Sequence, residues 1–214
     1  MPNTAVITCI LGSFDELHEP VEQDTPIDFH AWTDENFPPV TGMTPRMQYR
    51  IPKTHGWQML PGYKHYIWLD GSMTLKRKDC ATWYLSELGD SDIGLFFHPW
   101  RRTIKSEVEH IEKHLREGRP YITARYKNGL HREFLDNLPP TYVDNALYYS
   151  GVFIYHNIPK VQRFLEDWWY YQSRYFSCDQ VVLPYVLKEH KLKVKIFDEP
   201  AFKTGYHSLV SHHK

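Results

Sequence analysis

This chain is poor in cysteine. It has three in 214 residues, Cys9, Cys80 and Cys178, an odd number with no C-x-x-C spacing. That composition excludes a disulfide framework and a thiolate zinc cage, and it predicts a reducing compartment. Long apolar runs are also missing. Residues 5–11 form a short one, broken by Thr8 and preceded by no basic residue. Neither a secretion signal nor a membrane span is expected, and a soluble, cytoplasmic protein is. Neither sign of charge dominates: 25 Lys and Arg face 26 Asp and Glu, with a pI near 6.9. A global basic field for packaging nucleic acid is therefore absent. No repeat, low-complexity tract or long linker interrupts the sequence, so one domain over residues 1–214 is expected.

What is abundant is aromatic and imidazole. Aromatics make up 15% of the chain, including 7 Trp and 15 Tyr, enough for a groove as well as a core. Thirteen His make its charge sensitive to mild acid.

The apolar patterning alternates between strand and helix. Residues 4–11 are β-branched and apolar and end in Gly12-Ser13, which reads as a buried strand and a tight turn. Further strands are expected at 27–32, 66–69, 93–97, 147–149, 152–155 and 193–197. Helices are expected after Pro52, at 79–88 with Asp79 as N-cap, at 103–117, along the face Val161, Phe164, Leu165, Trp168 and Tyr171, and at 178–187. Residues 33–45 read as a loop, and residues 119–140 as a broken helix and a loop. The sum is α/β, with a mostly parallel central sheet flanked by helices. Ligands of such sheets sit beyond the carboxyl ends of the strands, which directs attention to the residues following each one.

The sharpest local signal is Tyr66-Ile67-Trp68-Leu69-Asp70-Gly71-Ser72. A carboxylate leaving a buried strand is held rigidly, and Gly71 admits a ligand close to the backbone. That pattern suits a divalent cation bridging to a diphosphate, though Asp-Gly-Ser is also ordinary turn chemistry. Arg101 and Arg102 precede a predicted helix N-terminus, a place where anions bind, or else form a solvated pair. Asp179 is an N-cap or a catalytic acid or base. Gly12, Ser13 and Asp34 follow the first two strands and suit a nucleotide. Arg50 and Lys53 are placed to reach phosphate or to lie on the surface. Glu107, His110 and His114 share a helix flank, but no further ligand completes a zinc site.

Four segments in order resemble a known group of enzymes. The 66–72 segment is similar to the strand and metal site of GT-A glycosyltransferases, usually Asp-X-Asp. It is closest to the glycosyltransferase-like domain family of plants and microbes once catalogued only as a domain of unknown function. His98-Pro99-Trp100-Arg101 with Glu107, Ser150-Gly151-Val152-Phe153-Ile154, and Trp168-Trp169 with Ser177-Cys178-Asp179-Gln180 resemble that family's other motifs. The resemblance implies a GT-A-like (Rossmann-like) fold and transfer of a hexosyl or pentosyl group from a nucleoside diphosphate sugar, foremost a UDP-sugar. It implies Asp70 and Asp179 as catalytic, and Gly12, Ser13, Asp34, Arg50, Lys53, Arg101, Ser150, Gly151 and Gln180 as donor-binding. Manganese or magnesium would be held by Asp70, Ser72 and His207, where Ser72 replaces the second acid. Two alternatives stand beside it. One is a noncatalytic nucleotide- or carbohydrate-binding module of the same fold. The other is an enzyme glycosylating modified bases in DNA, with Lys76-Arg77-Lys78 and residues 125–132 as its basic stretches.

Overall fold

The computed structural model describes residues 2–175 and 179–209. Its centre is a six-stranded sheet in the order β2-β1-β3-β6-β5-β7. These strands are β1 (Thr4–Ile10), β2 (Asp28–Thr33), β3 (His65–Asp70), β5 (Ile93–Phe97), β6 (Tyr148–His156) and β7 (Val194–Ile196). β1 pairs parallel with β2 and β3, and β5 parallel with β7. β6 alone runs the other way, antiparallel to both β3 and β5. The mostly parallel sheet is thus present, with one reversed strand at its middle. β1 is buried along its whole length, which is why it reads as an unbroken apolar run.

Two cores flank the sheet. One face carries Ile7, Trp68, Phe153 and Tyr155, covered by α2 (Arg50–Met59), α4 (Ile104–Arg116), α7 (Pro159–Tyr175) and α8 (Asp179–His190). The other face carries Val6, Ile67, Leu69 and Ile154, covered by α3 (Cys80–Leu88) and a small antiparallel pair. That pair is β4 (Met73–Leu75) with β8 (His207–Leu209). It was not foreseen, because three-residue strands show no periodicity.

Local rules explain most element ends. α1 (Pro45–Gln48) starts at Thr44, whose side chain accepts from the Met47 N–H at 3.2 Å. α4 starts with a reciprocal capping box between Thr103 and Ser106. Asp79, the expected cap of α3, makes no capping bond and is drawn instead to Arg77 at 2.5 Å. The broken stretch 119–140 resolves into α5 (Pro120–Tyr126) and α6 (Leu130–Asp136).

The expected break at Ser150-Gly151 is a bulge within one strand. Between the pairs Gly94–Ile154 and Phe96–Tyr149, β5 advances two residues (96 − 94) while β6 advances five (154 − 149). The surplus kinks β6 and turns consecutive side chains to unexpected faces. On the β5 side a Cβ at Gly94 would come within 2.5 Å of the Phe197 ring and 2.9 Å of Ile154. Gly94→Ala is expected to lower unfolding free energy by ~1–3 kcal/mol through overpacking, measured by urea denaturation. An unchanged midpoint would contradict this packing.

Candidate active site

Three distant segments meet at the carboxyl end of β3. Trp68 and Asp70 lie two apart in a strand and so share a face, and the Trp68 indole N–H donates to Asp70 Oδ1 at 2.7 Å. α2 packs on this same face. It lies so close to β1 that a Cβ at Gly56 would stand 2.5 Å from Ile7. That approach delivers Lys53, whose ammonium is wholly buried. It donates to Asp70 Oδ1 at 3.0 Å and to Asp179 Oδ2 at 2.5 Å. Ser150, turned inward at the bulge, donates to the same Asp179 oxygen at 2.8 Å. The Trp168 indole donates to the Asp179 carbonyl at 3.2 Å. The faces of Trp68 and Trp168 enclose the ammonium at 5.6 and 5.9 Å.

The electrostatics follow from this burial. Desolvation alone would raise the Asp179 carboxyl. The Lys53 ammonium, Arg50 beyond it and the bonds from Lys53 and Ser150 override that and hold it well below the usual carboxylate range. Desolvation likewise opposes the charge on Lys53, but Asp179 and Asp70 push its pKa up. Asp179 is therefore a fixed anion, a poor proton acceptor and a good counter-charge. Asp70 differs: its side chain is 31% exposed, and Oδ2 takes part in none of these bonds.

The sequence-predicted residues can now be placed. Arg50 and Lys53, for which a surface position was the alternative, are both buried. Gly12 (φ 72°) and Ser13 (φ 51°) form a left-handed turn after β1. The Gly12 N–H donates to both Asp34 oxygens at 3.0 and 2.9 Å. Because Ile10 pairs with Thr33 and Cys9 with Asp70, Asp34 and Asp70 lie at the same sheet edge. Gly151 lies under the Tyr149 ring, which a Cβ there would overlap. Gln180 is partly exposed in the first turn of α8, and Ser177 and Cys178 lie outside the described residues.

Other assignments fare differently. Arg101 is turned inward, ion-paired with buried Glu107 and within 3.2 Å of the His98 imidazole. The α4 N-terminus behind it is closed to anions, because Asp144 accepts from the Ile104 and Lys105 N–H groups at 2.9 and 3.0 Å. Arg102 reaches the His98 carbonyl and covers the Phe97 ring. His207 is buried in the small sheet. Its Nδ1 meets the Tyr84 hydroxyl and its Nε2 the Ala201 carbonyl, both at 2.5 Å, leaving no lone pair for a metal. Ser72 is buried at the entry to β4. Among the described residues no group of three His, Cys, Asp or Glu converges as a metal cage.

Trp68 and Tyr149 were missed as site residues, and Asp15, in the turn after the first strand, was given no role. The indole spacing two residues before Asp70 was the available clue for Trp68. Asp15 comes near through the fold, since a Cβ at Gly71 would stand 3.2 Å from its Oδ2.

No family model matches the chain, and comparison with curated proteins found no match. Among solved structures it is similar to a glycosyltransferase involved in the glycosylation of the major capsid of PBCV-1. That likeness has 10% identity, a TM-score of 0.45, and covers 92% of this chain and 82% of the other. At that distance it carries no argument about activity. No described helix is long and apolar enough to cross a membrane.

Two outcomes follow from the burial. Lys53→Met leaves two carboxylates without their cation and is expected to cost ~3–5 kcal/mol in urea unfolding. Adding Asp179→Asn should recover part of that loss, and strict additivity of the two changes would refute the pairing. His207 is held neutral, because burial lowers its pKa from 6.5 to about 4. Its folded pKa lies below its unfolded one, so its stabilising contribution is complete above about 6.5 and is lost as pH falls toward 4. Over that window stability should drop, and His207→Gln should flatten the decline by up to ~3 kcal/mol.

Proposed function

We propose that this protein is a glycosyltransferase that takes a nucleoside diphosphate sugar, foremost a UDP-sugar, as donor. The observation that carries the reading is the meeting of Asp70, Lys53, Ser150 and Asp179 beside the Gly12–Asp34 turn. Three of the segments that resemble the enzyme family are far apart in sequence, yet their Asp70, Ser150 and Asp179 gather round Lys53 at the carboxyl edge of an α/β sheet, where ligands of such sheets bind.

The nucleotide would lie over the ends of β1 and β2, where the Gly12-Ser13 turn brings backbone within reach. The diphosphate would then lie toward Asp70. There the protein's own charges offset one another, since the two carboxylates stand against the Lys53 ammonium and, at Asp179, the buried Arg50 guanidinium. A divalent cation would offset the charge that the donor's diphosphate adds, with Asp70 Oδ2 as its protein ligand and His207 excluded because both its nitrogens are bonded. When bound, such an ion would neutralise charge on the departing diphosphate. The residues of the chain have other tasks. Lys53 and the Trp68 indole fix the Asp70 rotamer so that one oxygen faces the cleft. Asp179, anchored by Ser150, keeps Lys53 charged. Arg101 is reassigned from phosphate contact to support of Glu107.

Calorimetry with UDP and manganese, followed by a donor-hydrolysis assay, tests the reading. Asp70→Asn retains the shape but loses the charge. It is expected to weaken manganese-dependent UDP binding and to cut turnover by ~10²-fold. UDP binding that persists in chelator and in Asp70→Asn would sink the metal part. No binding of any nucleoside diphosphate would sink the whole.

A further inference from the structure

One feature outside the constellation is an open aromatic ring packed against Phe202, His98 and Arg101. Trp100 is 71% exposed, the most exposed large apolar side chain described. An indole held in a fixed position with most of its surface open offers a ready-made flat apolar face. It is not loose. The His98 imidazole Nδ1 accepts from the Trp100 and Arg101 N–H groups at 3.3 and 3.1 Å, which holds the turn. Phe202 stacks on the indole, with centroids 5.5 Å apart and 24° between planes. Phe202 in turn packs edge-on against Tyr149 at 4.8 Å. Tyr149 stands in the field of both Asp70 and Asp179, which, after burial itself, raise its pKa. An aromatic path therefore leads from Tyr149, next in sequence to Ser150 of the constellation, through Phe202 to an open ring.

Sheet order says which half of the cleft this ledge belongs to. Asp70 ends β3 at the middle of the sheet. The Gly12–Asp34 turn lies to one side over β1 and β2, and Tyr149 with the turn after β5 lies to the other. A nucleotide on the first side leaves the second for the group that receives the sugar.

We propose that Trp100, backed by Phe202, is the acceptor subsite and stacks the apolar C–H face of a neutral sugar ring in a glycan. This rests on the glycosyltransferase reading. The negative face of an indole attracts the weakly positive C–H edges of a pyranose, and one exposed ring suits one sugar. A nucleic acid is the poorer occupant. Arg101 beside the ledge is neutralised by Glu107, so the segments carrying Trp100 and Phe202 offer the exposed charges of Arg102 and Lys203 but no longer basic run to track a phosphate backbone.

The experiment is saturation-transfer NMR on the full chain with cellotetraose, maltotetraose and mannotetraose, and with single-stranded DNA, alongside UDP calorimetry. At least one tetrasaccharide should receive saturation at its C–H protons. Trp100→Ala should weaken that binding about tenfold, and Phe202→Ala by less, with UDP affinity unchanged in both. Both side chains lie at the surface, and intact UDP binding reports that each variant is folded. No tetrasaccharide binding, binding equal in wild type and Trp100→Ala, or saturation of DNA alone overturns the subsite. The donor reading is judged separately, on whether wild type binds UDP.

Discussion

One buried ammonium organises this molecule. Lys53 has no contact with solvent, and its partners Asp70 and Asp179 come from the end of a central strand and the start of a late helix. Burying a lone cation is costly, so the packing of α2 on β1 is stabilised by having both carboxylates in place. The aromatic walls of Trp68 and Trp168 lower the local dielectric and make each charge depend more on the others. The outcome is a fixed difference between two acids of the same kind. Asp179 is locked as a counter-charge, whereas Asp70 stays partly exposed with Oδ2 outside the bonds from Lys53 and Trp68.

The reversed strand serves the same arrangement. β6 enters the sheet from the edge at which its neighbours leave it, so its first residues lie beside the end of β3. Its bulge then places Ser150 on the face of Asp179, while Tyr149 packs with the opposite core. A regular strand would put residues 149 and 151 on one face and leave Ser150 with a partner set by strict alternation. The irregular register thereby joins the charged cluster on one side of the sheet to the aromatic path on the other.

Much of this was legible in the sequence. The strands at 4–10, 93–97 and 194–196 and the helix face of Val161, Phe164, Leu165 and Trp168 follow from apolar periodicity, which burial enforces. Asp70 and Asp179 stood out because each sits at an element boundary, and Ser150 through the resemblance of its segment. What was hidden depends on tertiary contact. Nothing local marks Lys53 as buried, since lysine on a short helix is ordinarily a surface residue. Arg101 next to a helix start suggested an anion site, but Asp144, 40 residues from Ile104, had already claimed those N–H groups. His207 looked like a late ligand only because its bonds to Tyr84 and Ala201 cannot be read from spacing.

The clasp made by Asp144 has a mechanical consequence. The turn between β5 and α4 is fastened at both ends to the segment preceding β6. The His98 N–H bonds to the Leu147 carbonyl at 2.8 Å, and the first amides of α4 bond to Asp144. Between those anchors the imidazole of His98 holds two more amides. Such a turn does not behave as a swinging lid. Its His98 N–H and the first amides of α4 are tied to the segment before β6, so the turn is held to that strand. An encounter there costs little ordering entropy, so any selectivity of this edge arises from shape already present before the ligand arrives.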